Sequence, residues 1–501
     1  MAHGKVLLVR PTTTSDPVAA SEDAVSEHLG LGYLAAYLET HGCDVDVCDT
    51  VLEKATNQDV AERVSAGDYP LVGIAVPSQR GIFKVLELAR AIKEVRPDAH
   101  VCLGGHFPTI VHDRLLRDFP CLDSVVRGEG EEPLLALVAS VLDRRKAESV
   151  PGLTFRRDGR VVSTPPAMPL EKLDDLPFPK RSLPPAPWGD IRYAGMVSSR
   201  GCQYRCPYCS IATFYGCSQW RGRSVANVVD EMAELAAGGG YQGFSFSDDT
   251  FVPPGPVGRT RVGEFCDQLT SRGLDRLTLV AMLPPASVST RTVGRLFKVG
   301  LRSVLVGIES GSPAQLRRLG KATTPAVNRR VLEILTDFDL IVCAGWIMFD
   351  PDCTLDDLRL NIDFLRPYAD RVIFEPLTTL EVFTGSHLYR DLAARGRLKG
   401  TYLAPEYEFL DEKVRWVHRV ATALMEDRII AAVQWTSEQN DRVYGRFRRQ
   451  RMLGFVLEIL GELTDFARAS DPLPSAEEAV AKLEGTVSSG FRQLMKPLDK
   501  G

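Results

Sequence analysis

The 501-residue chain has no apolar run approaching the roughly 20 residues needed to span a bilayer, so no transmembrane helix is expected. No long apolar stretch follows a basic start in residues 1–10, so no secretory signal is expected either. Charge of one sign is also lacking. Sixty basic and 65 acidic residues leave a net charge of −5, with no global field to draw nucleic acid or an anionic membrane. Framework-spaced cysteines are absent: the 11 cysteines are odd in number and scattered, which argues against a disulfide scaffold and for a reducing, cytoplasmic setting. There, a tight cysteine cluster is more often metal-binding or catalytic. No short-period repeat or low-complexity tract interrupts a composition, 44% hydrophobic and 25% charged, that is ordinary for a globular protein. The length implies roughly two to four domains.

What the chain does contain is alternation. β-rich runs at 6–10, 44–48, 71–76, 99–103 and 124–127 alternate with helical patterns at 31–40, 58–66, 82–95, 110–117 and 134–143. This predicts an α/β fold over 1–145, a Rossmann-like, doubly wound parallel sheet. Continuously apolar strands such as 71–76 suit a sheet covered on both faces. Nine prolines between 151 and 187 predict a linker over 146–192, with a small hairpin at Asp158-Gly159. From Tyr193 the alternation restarts, with strands expected at 194–199, 243–247, 277–281, 303–307, 342–348 and 371–375. Six β/α units predict a partial, TIM-like barrel over 193–377 with its chemistry at the carboxyl ends of the strands. Residues 378–501 form a mostly helical C-terminal region, clearest at 414–432 and 452–466.

The chemistry is concentrated in Ser198-Ser199-Arg200-Gly201-Cys202-Gln203-Tyr204-Arg205-Cys206-Pro207-Tyr208-Cys209, directly after the first barrel strand. Three thiolates on one loop can bind three irons of a [4Fe–4S] cluster and leave the fourth open to a substrate-like ligand. A redox pair of Cys206 and Cys209 would leave Cys202 unexplained, and a structural zinc site would need Cys217 as its fourth ligand. Buried, inert cysteines are the common alternative, but three in a short Gly/Arg/Pro-rich loop fit that poorly.

The C-x-x-x-C-x-x-C spacing, the aromatic Tyr208 before the third cysteine and the strand just upstream resemble the radical S-adenosylmethionine superfamily. The resemblance covers about 193–377. It implies that Cys202, Cys206 and Cys209 hold the cluster, and that its open iron is chelated by the methionine moiety of S-adenosylmethionine. One electron then cleaves the sulfonium to methionine and a 5′-deoxyadenosyl radical. It also implies an electron donor such as flavodoxin or ferredoxin. Asp248-Asp249, ending the second barrel strand, stand where the family grips the methionine amino group, in place of the commoner Gly-Gly-Glu. Glu309 and Ser310 end the fourth strand, where relatives contact the methionine or the ribose; helix capping is the competing role for such residues. Ile347 and Met348 stand where the family lines the adenine, and core packing explains them equally well.

A doubly wound domain before such a barrel is similar to the cobalamin-binding domain of one large subclass. The matching loops are Gly30-Leu31-Gly32, Val76-Pro77-Ser78-Gln79, Gly104-Gly105-His106-Phe107-Pro108-Thr109 and Arg127-Gly128-Glu129-Gly130-Glu131. All fall at carboxyl ends of expected parallel strands, where such sheets bind ligands. The resemblance implies that Ser78, Gly104, Gly105, Gly128, Glu129 and Gly130 approach a corrin. The first loop, Ser26-Glu27-His28-Leu29-Gly30, departs from the D-x-H-x-x-G of enzymes that ligate cobalt with histidine, so no histidine ligand is expected from it. A domain that keeps the fold and has lost the cofactor remains the alternative.

These features point to a cobalamin-dependent radical methyltransferase acting on a small, natural-product-like molecule. Hydrogen abstraction from an unactivated carbon would be followed by methyl transfer from cobalamin. Dehydration, rearrangement or cyclisation would begin with the same abstraction. An RNA-modifying methylthiotransferase is the third reading, favoured only by Arg442, Arg446, Arg448, Arg449 and Arg451, which as a solvated helix face need no partner. Neither a nucleic acid nor a membrane is expected as a partner.

Overall fold

A computed structural model describes residues 5–12, 27–76, 78–143, 150–181, 191–238, 240–438 and 442–494. Its N-terminal sheet is built on β1 (Val6–Arg10), β2 (Val45–Asp49), β3 (Leu71–Ala75), β4 (His100–Gly104) and β5 (Ser124–Val126), in the parallel order β2-β1-β3-β4-β5. β1 and β3 are buried at every residue because each face carries helices. Leu7, Val9 and Ile74 pack on one side, with Leu86 and Leu115. Val6, Leu8 and Leu71 pack on the other, with Leu31 and Leu137. Cys48 and Cys102 are part of these cores.

The proline-rich stretch contributes more than a connection. β6 (Leu153–Arg157) and β7 (Arg160–Ser163) form a hairpin that adds antiparallel strands to β5. Its turn is Asp158-Gly159, both with positive φ (47° and 73°).

The second sheet has β8 (Tyr193–Met196), β11 (Gly243–Phe246), β12 (Thr278–Leu283), β13 (Leu301–Glu309), β14 (Ile341–Trp346) and β15 (Val372–Ile373), all parallel and paired in sequence order. One face of the arc packs on helices through Leu279, Ala281, Val304, Val306, Val342 and Ala344. The other face lines the lumen. Two short strands, β9 (Ser199–Arg200) and β10 (Arg221–Gly222), pair antiparallel and bracket the cysteine loop.

After the barrel, residues 378–411 carry helix His387–Ala394 and the hairpin β16 (Leu398–Gly400)–β17 (Pro405–Tyr407). This segment straps back onto the N-terminal sheet: Gln79 Nε2 donates to Val382 O (2.7 Å), and Tyr402 Oη donates to Asp118 (2.7 Å). Helices Glu412–Glu438, Arg442–Ala469 and Ala476–Leu494 follow and join the barrel core through Val417, Leu424, Leu457 and Val487. Among the described residues, no helix is long and apolar enough to cross a membrane. The arginine side chains at 442, 446, 448, 449 and 451 lie outside the described residues, as do Ser26, Pro77, Pro184, Pro185 and Pro187.

A candidate active site between two parallel sheets

The carboxyl ends of β3, β4 and β5 face the residues that flank the cysteine loop, Ser199, Arg200, Phe214 and Tyr215, across a cavity of about 320 Å³. Gly104, Gly105, Gly128 and Gly130 line it from one side, and Ser199, Arg200, Ser247 and Asp249 from the other. Gly105 has φ 108°, and a Cβ there would lie 2.6 Å from Val76 O, so only glycine lets β4 turn into the following helix this tightly. Gly128 has φ 76° with open space beside it. The residues present therefore leave room for a large flat ligand over the sheet edge.

His28 also lines the cavity. Its Nδ1 accepts from Leu31 N (3.1 Å), capping helix Leu29–Thr40. Burial lowers its pKa to about 4. The Nδ1 lone pair is thus taken up by the helix cap, and in this neutral tautomer Nε2 carries the proton, so neither nitrogen presents a free lone pair. His106, not singled out from the sequence, faces the same space, packs against Phe214 (centroids 3.9 Å, rings tilted by 39°) and has its pKa lowered to about 4 by burial.

Two residues from the N-terminal set are placed differently from expectation. Ser78 caps a short turn by accepting from Arg80 N (3.3 Å) and does not line the cavity. Glu129 borders the cavity, but its carboxylate is engaged by Arg200 (3.0 Å), Arg221 (3.0 Å) and Leu170 N (2.6 Å). Burial alone would raise its pKa; the two guanidiniums hold it below the ordinary carboxylate value. Arg200 also pairs with Glu131 (2.6 Å). Glu129 therefore joins the N-terminal sheet to the cysteine loop.

The loop itself departs from β8 at Ser198. Asp248 is buried and accepts from Ser198 N (3.2 Å), Ser198 Oγ (2.8 Å) and Ser199 Oγ. Its oxygens are committed to fixing the loop's origin, and of the two aspartates only Asp249 lines the cavity. That side chain faces the cavity and accepts from Gly201 N (2.9 Å), and burial raises its pKa above the ordinary value. Gly201 has φ 81°, and a Cβ there would sit 2.3 Å from Gln219 O, so the turn into Cys202 requires glycine.

Cys202, Cys206 and Cys209 follow as free, partly exposed thiols. Thr250 Oγ1 lies 3.3 Å from Cys202 Sγ. Burial raises the Cys206 thiol and pushes Cys209 up to about 11, so a metal centre would have to displace their protons. Among the described residues, no three His, Cys, Asp or Glu side chains converge as a single-ion site. A cluster asks for something else, one thiolate for each of three irons, and three free thiols on one loop fit that donor set.

Glu309 stands at the end of β13, where the register with β14 shifts between Gly307 and Glu309. It is a non-glycine residue at φ 66°, a conformation that costs about 1 kcal/mol and persists only where the surroundings impose it. The carboxylate turns over Gly307 and Gly345, where Cβ atoms would lie 2.7 and 3.6 Å from its oxygens. It pairs with Lys321 Nζ (3.1 Å), and its charge adds to burial in raising the pKa of the Tyr208 hydroxyl. Tyr208 packs with Leu319, Ile347 and Leu380, tying the loop to the strap. Ser310, by contrast, is fully buried: its hydroxyl is shared between Gln315 Oε1 (2.6 Å) and Asn361 Oδ1 (2.8 Å) and accepts from Ser312 N (2.9 Å). It holds the bulge and does not face the site. Met348 is likewise core.

Lys321, Arg200 and Arg221 carry no sequence signal of their own, because each is defined by a partner on another element. The run Gly320-Lys321 after a short helix has no distinctive spacing.

Comparison with known proteins agrees with this geometry. Residues 16–138 match the B12 binding domain, and residues 196–365 match the radical SAM superfamily. The uncharacterized methyltransferase PH0819 of Pyrococcus horikoshii is 27% identical over 418 residues, covering 83% of this chain and 88% of that protein. The anaerobic magnesium-protoporphyrin IX monomethyl ester cyclase of Rubrivivax gelatinosus is 29% identical over 351 residues, 68% of this chain and 61% of that one. A solved structure of the cobalamin-dependent S-adenosylmethionine radical enzyme OxsB, with aqua-cobalamin bound, superposes with a TM-score of 0.77 over 98% of this chain and 79% of that one. At 18% identity that likeness is one of fold. Its cofactors are those of its two matched domains: a [4Fe–4S] cluster, S-adenosylmethionine and cobalamin. The chain belongs to the radical S-adenosylmethionine superfamily, among the enzymes that carry an N-terminal B12 binding domain.

Proposed function

We propose that this enzyme methylates an unactivated carbon of a small molecule, taking reducing equivalents from a flavodoxin- or ferredoxin-like donor. The observation that carries the reading is the shared cavity: the glycine-rich end of the corrin-type sheet and the approach to the cysteine loop open onto one space. Bound there, the cluster would supply the electron that cleaves S-adenosylmethionine, and cobalamin would supply the methyl group. The chain's own residues hold and orient. Cys202, Cys206 and Cys209 are the cluster ligands, Asp249 receives the methionine amino group, and Glu309 with Lys321 and Tyr208 frames the far side. Gly104, Gly105, Gly128 and Gly130 admit the corrin. The unit that holds it extends past residue 145 to include β6 and β7, while 193–377 form the radical barrel and 378–501 its strap and helical buttress.

The test is anaerobic reconstitution with S-adenosylmethionine bearing a deuterated methyl group, with and without cobalamin. Cobalamin-dependent transfer of label to a carbon of the product supports the reading. Turnover without cobalamin overturns methyl transfer. A second reading, radical cyclisation or rearrangement, is favoured by the similarity to the magnesium-protoporphyrin ester cyclase, and predicts a product without added label.

A further inference from the structure

The lumen face of the barrel has a feature that the cofactor site does not use. Met282, Leu305, Cys343 and Ile373 lie in register on the four adjacent strands β12 to β15. Side chains alternate along a strand, and their neighbours Ala281, Val304, Val306, Val342, Ala344 and Val372 are packed in the core behind the sheet. The four therefore point the other way, onto a face that the described helices do not cover. Leu305, at the centre of the sheet, is 42% exposed, and the other three are partly exposed. Three inter-strand steps of about 4.8 Å make this floor ~14 Å wide.

Charge is missing from it. β12, β14 and β15 contain no ionisable cation or carboxylate. On β13, Arg302 bonds the carbonyls of Phe297 and Leu301 (both 2.8 Å), and Glu309 is paired with Lys321. Toward the carboxyl end, the ion-paired Glu309 and Lys321 lie over the paired Gly307 and Gly345 and bound the floor there. A phosphate set against this floor would lose its hydration, and the cation beside it, Lys321, is already engaged by Glu309, whereas an apolar body would gain by covering it.

We propose that the substrate is a broad, predominantly apolar small molecule without phosphate groups, laid on Met282, Leu305, Cys343 and Ile373. The inference rests on the barrel being the site of radical chemistry. The test uses the cobalamin- and cluster-loaded enzyme, titrated anaerobically with the neutral hydrophobic fluorophore N-phenyl-1-naphthylamine. The wild-type enzyme should bind it, Leu305→Met should retain binding, and Leu305→Asp should weaken it by about 10-fold or more. Millimolar inorganic pyrophosphate should not displace it. Leu305→Ser, which adds no charge, should give an intermediate loss and stands in should the aspartate variant not fold. The class of substrate is overturned by undiminished probe binding in whichever of the two variants keeps the wild-type unfolding midpoint, or by displacement with pyrophosphate. Formation of 5′-deoxyadenosine by the wild-type enzyme is read separately; its absence would overturn the radical reading whatever the probe does.

Discussion

Glu129 and Arg200 are paired at 3.0 Å with side chains 7% and 13% exposed, and they link the glycine-rich loop after β5 to the residue two before Cys202. Arg221 closes on the same carboxylate. Removing Glu129 leaves two buried guanidiniums short of their counter-charge, a loss of about 3–5 kcal/mol for a broken buried pair. Glu129→Ala is expected to lower the unfolding midpoint strongly and to weaken hydroxocobalamin retention. Glu129→Gln, which keeps acceptor capacity, should lie between the two. Unchanged midpoints in both variants would remove this pair from the joint.

Each of Cys202→Ala, Cys206→Ala and Cys209→Ala should abolish the iron–sulfur absorbance and 5′-deoxyadenosine formation, while Cys217→Ala retains both. Metal analysis of the four variants checks this. Equal dependence on Cys217, with zinc in the purified protein, would identify a structural zinc site instead.

The two neighbouring aspartates should separate. Asp249→Ala should assemble the cluster and bind S-adenosylmethionine roughly 10- to 150-fold more weakly, the equivalent of a charge-assisted hydrogen bond of about 1.5–3 kcal/mol. Asp248→Ala should instead reduce thermal stability and cluster content, because Ser198 N and the Ser198 and Ser199 hydroxyls lose their shared acceptor. Isothermal titration and iron quantitation on the same preparations distinguish the two. Identical behaviour would mean that the loop anchor and the cofactor contact are not divided between them.

His28 and His106 are both held near pKa 4, below the ordinary value of 6.5, chiefly by burial. The unfolded chain therefore binds protons between those values that the folded chain does not, and stability falls as pH drops from 6.5 toward 4. Unfolding midpoints measured over that range should decline, and His106→Phe should flatten the decline by removing one of the two groups. A slope indifferent to His106→Phe would assign the acid sensitivity elsewhere.

Gly128→Leu should fold with a modest loss, about 1–2 kcal/mol for a side chain at positive φ, since nothing lies near its Cβ. Its side chain would enter the cavity, so hydroxocobalamin uptake, followed by absorbance, should fail. Stoichiometric uptake would place the corrin away from this loop.

The N-terminal parallel sheet was legible because burial on two faces writes continuous apolar strands, and the barrel sheet because its β-rich runs recur between helical patterns at regular intervals. β1 has the expected bounds, and the other strands differ mainly at their ends. The hairpin at Asp158-Gly159 was legible from its turn, but not its pairing with β5, since strand pairing depends on which edge is free. Beyond 378, helical character was legible, while the strap onto Gln79 was not. Sequence alone determined what is local: the three cysteines on one loop, the glycines at strand ends, and the chemistry that such a loop implies. Tertiary structure decided how polar neighbours divide their work. Asp248 and Asp249 alternate in direction at a strand end, so one meets the loop's serines and the other meets the cavity. Glu309 was a candidate by position, but its partners Lys321 and Tyr208 come from other elements. Glu129 and Arg200 are 71 residues apart and meet only because the sheet ends face each other. Spacing along a chain specifies which groups share a loop; which carboxylate remains free for a ligand depends on which donors the folded chain brings within reach.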